Sequence, residues 1–145
     1  MTEIAIHDDF GEELLRYKVP VGAEGLVGAV LEGAHLHGAQ LAGADLRGAD
    51  LYWALLFRAN LNGANLERAV LCGADLKYAD LQNANLQHAD LGIDNLGGST
   101  SLEGANLRGV ELRWTKLTGA TYSDETLFPE GFDPVRAGMR KTAAT

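Results

Sequence analysis

A leucine stands at every fifth position from Leu26 to Leu96. The beat breaks once, in Gly97-Gly98-Ser99-Thr100-Ser101, and resumes one place later at Leu102, Leu107, Leu112 and Leu117, with Tyr122 in the last place. A period of five fits neither an amphipathic helix, which repeats at about 3.6 residues, nor a plain strand, which repeats at about 2. It fits a short extended side followed by a corner. Two residues before the centre, alanine occurs in 15 of the 20 units, so a small and a large side chain share the inward face of each side. The outward residue between them is Asp or Asn in half the units. Glycine, which tolerates positive φ at a corner, is the second residue after the centre in 11. Alternating small and large inward residues let successive layers interlock without voids. A chain that turns a corner every five residues closes into a coil.

The strings AQLAGADLRGADL, ANLNGANLERAVL and ADLKYADLQNANLQHADL resemble the pentapeptide-repeat proteins, and the likeness spans residues 25–122. That resemblance implies an all-β fold, a right-handed quadrilateral parallel β-helix with four units to a coil. Twenty units then make about five coils, a column about 24 Å tall at the spacing of hydrogen-bonded strands. The expected structural core is Leu46, Leu51, Leu56, Leu61, Leu66, Leu71, Leu76, Leu81 and Leu86 with Ala64, Ala69 and Ala74.

Stacked coils have open ends whose strand edges need covers. Residues 1–24 are read as an N-terminal cap and 123–145 as a C-terminal cap with a frayed tail from Lys141 to Thr145. At the front, Asp8 or Asp9 is placed to N-cap a short helix through Lys18, with Phe10, Leu14 and Tyr17 as its apolar stripe and Pro20 ending it. At the back, Leu127, Phe128, Phe132, Val135 and Met139 are apolar residues outside the repeat, and Asp133-Pro134 reads as an N-cap and first turn. Short helical caps are therefore expected at both ends. The break at residues 97–101 asks only for a one-residue bulge in a corner.

The formal net charge of −8 disfavours binding to nucleic acid or anionic lipid. No apolar run is long enough to span a membrane, and the acidic N-terminus lacks the apolar stretch of a secretory signal. A single cysteine, Cys72, allows no internal disulfide, and the cytoplasm is the expected setting. His35 and His37 flank Leu36 on the outward side, but no further ligand stands at a recognisable spacing, so no metal site is expected. Cys72 is read as an outward corner residue with no base beside it. The glycines are periodic and none precedes Gly-Lys-Ser/Thr, so no phosphate loop is present. No catalytic residue and no cofactor are expected, and the chain is not read as an enzyme.

Stacking at 20 residues, or 21 across the break, puts Asp45, Asn65, Asn85 and Asn106 in one outward column and Trp53, Gly73, Ile93 and Trp114 in another. Tyr52, Trp53, Leu55 and Phe57 fall on outward or corner positions of two adjacent units. Above Phe57 and Arg58 come Lys77 and Tyr78, spacings suited to cation–π contact. A contiguous apolar patch commonly marks an interface. The candidate interface is thus Tyr52, Trp53, Leu55, Phe57, Arg58, Tyr78, Ile93 and Trp114, and the expected function is a non-enzymatic protein-interaction scaffold. Its partner would be another, unidentified protein or a second copy of the chain.

The resemblance also implies an alternative, because some pentapeptide-repeat proteins imitate duplex DNA in shape and charge and bind type II topoisomerases such as DNA gyrase. Charge placement speaks against it. Residues 25–122 carry 10 acids and 7 bases, whereas residues 1–24 carry 6 acids and 2 bases, so half the net charge lies before the repeats. Arg47, Arg58, Arg68, Arg108 and Arg113 interrupt any acidic stripe.

Overall fold

The computed structural model describes residues 1–143. Its body is a four-sided parallel β-coil, and one unit shows why five residues repeat. In residues 59–63, Ala59 N donates to Leu56 O (2.9 Å), closing a tight turn over the two corner residues. Asn60 N donates to Ala39 O (2.8 Å) on the coil below, and Leu61 N to Asp80 O (2.7 Å) on the coil above. Gly63 N also donates upward, to Gln82 O (2.8 Å). The one remaining amide, Asn62 N, is met by Asn60 Oδ1 at 3.1 Å. Every N–H of the unit therefore has an acceptor, which a buried or half-buried backbone requires. The preference for Asp or Asn before the centre follows, since a short side-chain carbonyl or carboxylate reaches the amide two residues on with little rotamer freedom to lose. Asp50, Asn65, Asp75, Asp80, Asn85, Asp90 and Asn106 do the same.

The second corner residue has positive φ in every turn from Gly28 to His88, the geometry of a type II turn. Glycine is the low-strain occupant, yet Trp53, Arg58, Arg68, Tyr78, Asn83, His88 and Trp114 also adopt it, with φ between 57° and 60°.

The rungs define four faces. The first carries Val30, Asp50, Val70, Asp90 and Lys116; the second His35, Leu55, Asp75, Ser101 and Thr121. The third carries Gln40, Asn60, Asp80, Asn106 and Leu127; the fourth Asp45, Asn65, Asn85 and Glu111. Inside, the leucines from Leu46 to Leu86 are fully sealed from solvent, and so are Ala64, Ala69 and Ala74 to within 1 %. Where threonine takes the alanine place its hydroxyl donates to a centre carbonyl beneath it, as Thr100 does to Leu71 O at 2.9 Å.

The break in the repeat is larger than one residue. Asp75 pairs with Ser101 and Asp80 with Asn106, a step of 26 instead of 20. Ile93 N still donates to Thr118 O (2.9 Å) on the coil above, but residues 94–99 leave the coil as a loop, and Leu96 is no centre at all: it is 85 % exposed. The cause is Asp94, which stands where an inward alanine would be needed; a carboxylate set against a leucine layer would be too costly to desolvate. Every column above the loop is consequently shifted by one unit. Asn106 stacks on Asp80, and the column once headed for Asn106 runs Asp45, Asn65, Asn85, Glu111.

No helix occurs among the described residues, so the expected helical caps are corrected to strands and turns. At the front, β1 (Thr2–His7) and β2 (Glu13–Val19) form an antiparallel hairpin. Asp8 does cap, but it caps the hairpin turn, its Oδ1 accepting from Phe10 N (2.9 Å) and Glu12 N (2.8 Å). Phe10 is 87 % exposed at that turn. The strand pattern prevails because Ile4 and Ile6 alternate, as do Leu15, Tyr17 and Val19, and β-branched and aromatic residues favour a pleated surface. The hairpin meets the first coil through Gln40 N to His7 O (2.7 Å) and Val30 N to the Tyr17 hydroxyl (2.8 Å).

At the back, Asp133 Oδ1 accepts from Val135 N and Arg136 N, and the chain makes a single turn before straightening. β4 (Arg140–Lys141) then adds a parallel rung to β3 (Thr121–Tyr122) on the second face. Lys141, expected to fray, pairs with Asp124 at 2.5 Å. Residues 144 and 145 of the expected tail lie outside the described residues. Tyr122 meets Phe128 edge to face and Phe128 stacks on Phe132, with ring centroids 5.4 and 5.2 Å apart.

Candidate protein-interaction surface

Tyr52 and Trp53 turn the corner between the first and second faces, and Phe57 and Arg58 turn the next one. Leu55 is the second-face rung between them. Tyr52 and Trp53 meet edge to face at 5.8 Å, and Phe57 meets Tyr78 of the coil above at 5.9 Å. The Arg58 guanidinium lies 5.3 Å from the ring centres of both Phe57 and Tyr78. Arg58 thus takes the cation–π role that the spacing had also suggested for Lys77, and no lysine lies over a ring among the described residues. Trp53 and Tyr78 are each 44 % exposed, while Tyr52, Leu55 and Phe57 are half-buried.

The rings have a fixed seat. Trp53 leans over Gly73, where a Cβ would stand 3.0 Å from the indole. Tyr78 leans over Gly104 in the same way, and a Cβ there would overlap its ring. Each of these two rings therefore needs a bare glycine one coil further on, and the left-handed backbone that aims it is strained by about 1–2 kcal/mol. Such a surface is rigid before any partner arrives.

Ile93 and Trp114 are placed differently from each other. Ile93 shares the Trp53 corner, two coils up and beyond Gly73. Trp114 does not. The shift introduced by the loop sets it on the corner between the fourth and first faces, where it stacks on His88 at 4.8 Å with Arg113 at 5.4 Å. The two tryptophans do not share a column.

Two residues overlooked in the sequence belong to this surface. Asp94 holds the corner from the loop side: its Oδ2 accepts from the Tyr52 hydroxyl, and its Oδ1 from Leu96 N (2.9 Å) and Gly98 N (2.6 Å). The Tyr52 hydroxyl, with the Gly98 and Leu96 amides, holds the Asp94 carboxyl below the ordinary carboxylate range, and Asp94 in turn raises the Tyr52 phenol. Gly98 packs on Trp53, since a Cβ there would stand 2.6 Å from indole Cζ2. The signal available was the acid in an inward alanine position.

Cys72 is also corrected. It is not an outward residue but 7 % exposed, and burial, then Asp90, pushes its thiol up to about 11. His35 and His37 are exposed, and His37 meets only the edge of Phe57 at 6.2 Å. No cluster of three potential metal ligands occurs among the described residues, and no helix there is long and apolar enough to cross a membrane.

The acids are dispersed. Asp45 lies on the fourth face, Asp75 on the second, Asp80 on the third and Asp90 on the first. Asp45 is further neutralised by Arg47 at 2.6 Å.

The model of the family described as pentapeptide repeats matches eight copies, in residues 26–58, 54–92 and 99–121. The chain belongs to the pentapeptide-repeat family. The gap between the last two matched segments, residues 93–98, falls on the loop. Such proteins are generally structural or interaction proteins, and their fold is the right-handed quadrilateral β-helix.

Among solved structures the chain is similar to alr5209, a pentapeptide repeat protein from Nostoc Pcc 7120, with 40 % identity over 78 % of this chain and 84 % of that one, at a TM-score of 0.44. It is also similar to Rfr23 from the cyanobacterium Cyanothece 51142, with 36 % identity over 63 % of this chain and 65 % of that one, at a TM-score of 0.46. QnrB1, a plasmid-mediated fluoroquinolone resistance protein, is 18 % identical over 81 % of this chain and 77 % of that one, at a TM-score of 0.49. A comparison with curated proteins finds no match.

Proposed function

We propose that this pentapeptide-repeat protein is a non-enzymatic interaction scaffold, working in the cytoplasm, whose contact surface is the corner pair Tyr52, Trp53, Leu55, Phe57, Arg58 and Tyr78. Ile93 stands at its margin, and Trp114 forms a separate exposed spot with His88. The observation that carries this reading is the seating of exposed rings over glycines on two neighbouring corners. Nothing in the core needs a tryptophan at position 53 or a tyrosine at 78, and each stands in strained backbone. Rigid aromatic side chains lose little entropy on binding, and tryptophan, tyrosine and arginine dominate interface energetics. The partner is another protein or a second copy of the chain.

Affinity capture, set beside sedimentation of the purified protein, tests it. A partner or self-association lost in Trp53→Ser/Tyr78→Ser, with the fold intact by circular dichroism, supports the reading. Association unchanged by that pair refutes it. Imitation of DNA before a type II topoisomerase is the weaker reading, because a duplex imitator needs a continuous acidic stripe and the four aspartates here face four directions. Inhibition of gyrase supercoiling that vanishes when Asp45, Asp75, Asp80 and Asp90 are neutralised would reverse this ranking.

A further inference from the structure

Residues 94–99 are more than a bypass between coils. The loop folds onto a corner two coils away in sequence, through one side chain that uses both carboxylate oxygens. Its backbone closes on itself as well, with Asp94 N donating to Gly98 O at 3.1 Å and Gly97 N to Asp94 O at 3.2 Å. Cys72 stands at the same corner on the coil between Tyr52 and Asp94, its O accepting from Trp53 N at 3.0 Å, so the Tyr52 side chain passes it to reach the latch. Residues in the same place of other turns, Glu67, Lys77 and Gln82, stay partly exposed, whereas Cys72 is buried. Its sulfur bonds only to Asp90 O, at 3.7 Å. Asp94 also lies near enough for its charge to raise the thiol further.

We propose that residues 94–99 form a strap, latched by Asp94 onto Tyr52 and seated by Gly98 on Trp53, whose release is a discrete local opening that uncovers Cys72. The coil is held by rungs on every face. The loop starts from Ile93, whose N still donates to Thr118 O at 2.9 Å, but residues 94–99 add no rung, and they are held to the column by the latch and the Gly98 contact. Segments held by few contacts open at lower free energy than the core. The strap also fixes two rings of the aromatic corner, so a partner seated there binds the latched form and suppresses opening; that final step rests on the scaffold reading.

The test is alkylation of Cys72 by iodoacetamide in the native full-length protein, followed by mass spectrometry at fixed pH. Tyr52→Phe keeps the ring and removes the latch hydroxyl, and its rate should rise about ten-fold or more, the effect of losing one hydrogen bond to a charged group. Asp94→Asn should act in the same direction. Leu96→Ser, at the exposed loop tip, should alkylate like the wild type. Wild-type rates in both latch variants would overturn the proposal. So would an acceleration that merely follows a fall in melting temperature, since that reports global unfolding. No partner enters this assay, so the strap can fail while the scaffold stands, and the reverse.

Discussion

Leu66→Ala in the middle of the column should be among the costliest single substitutions in this protein. Leu66 is fully buried, with Leu46 below it and Leu86 above it in the same stack. Removing its side chain beyond Cβ loses the transfer energy of the deleted carbons and leaves a void. In a globular core neighbouring helices slide in to shrink that void. Here the walls cannot approach, because Leu66 N is held to Asn85 O at 2.8 Å and Ala69 N to Leu66 O at 2.9 Å, and every adjacent unit is held likewise. The cost therefore belongs at the upper end of the usual range for such changes, about 4–5 kcal/mol. Leu26→Ala removes the same atoms from the first coil, whose lower side meets only the hairpin, and relaxation there should hold its cost to about 2–3 kcal/mol. Urea unfolding followed by circular dichroism gives both numbers, provided the slope of the transition is unchanged between variants. Equal costs at the two sites, or less than about 2 kcal/mol at Leu66, would refute the rigid-wall argument.

Ala64→Leu should destabilise by about 1–3 kcal/mol or more through overpacking, since the inward alanine sites lie between sealed leucines; a wild-type melting temperature would exclude that placement. Arg68→Gly, at an exposed corner with φ 60°, should leave stability unchanged or raise it by up to about 1 kcal/mol, because left-handed backbone strain is relieved, and a clear loss would point to an unrecognised role for the guanidinium. Alkylation of Cys72 should keep climbing with pH towards about 11, since burial disfavours the thiolate, and a plateau near 9 would show an exposed thiol. Deleting residues 1–20 should expose the amides of Val30 and Gln40 and promote association through the bare first coil, whereas a monodisperse product in size-exclusion chromatography would show that the hairpin is no cover.

Asp94 shows how one residue governed what could be read from the sequence. Seen as a periodic letter string, Leu96 keeps the beat and the break looks like one extra residue. Seen as chemistry, an acid in an inward alanine place already forbids that unit. The difference of five residues in loop length then moved Trp114 from the Trp53 corner to the His88 corner, and Asn106 from one face to another. The aromatic pairs below the loop, Tyr52 with Trp53 and Arg58 with Tyr78, were found by spacing alone because no irregular unit intervenes between them.

The sequence by itself determined the repeating unit: its turn, its inward leucine and alanine, and the outward Asp or Asn that serves the corner amide. All of these are contacts within five residues or between neighbouring copies of the same pattern, so the period states them directly. The tertiary structure alone decided the register above residue 92, the burial of Cys72, and the hairpin in place of a helix at the front. Register accumulates along the stack, so one non-repeating segment displaces everything beyond it. Phe10, Leu14 and Tyr17 satisfy a helical stripe while Leu15, Tyr17 and Val19 satisfy a strand, and local preference does not separate the two. The first coil separates them, because its open edge offers the amides of Gln40 and Val30, and the hairpin brings His7 O and the Tyr17 hydroxyl to meet them.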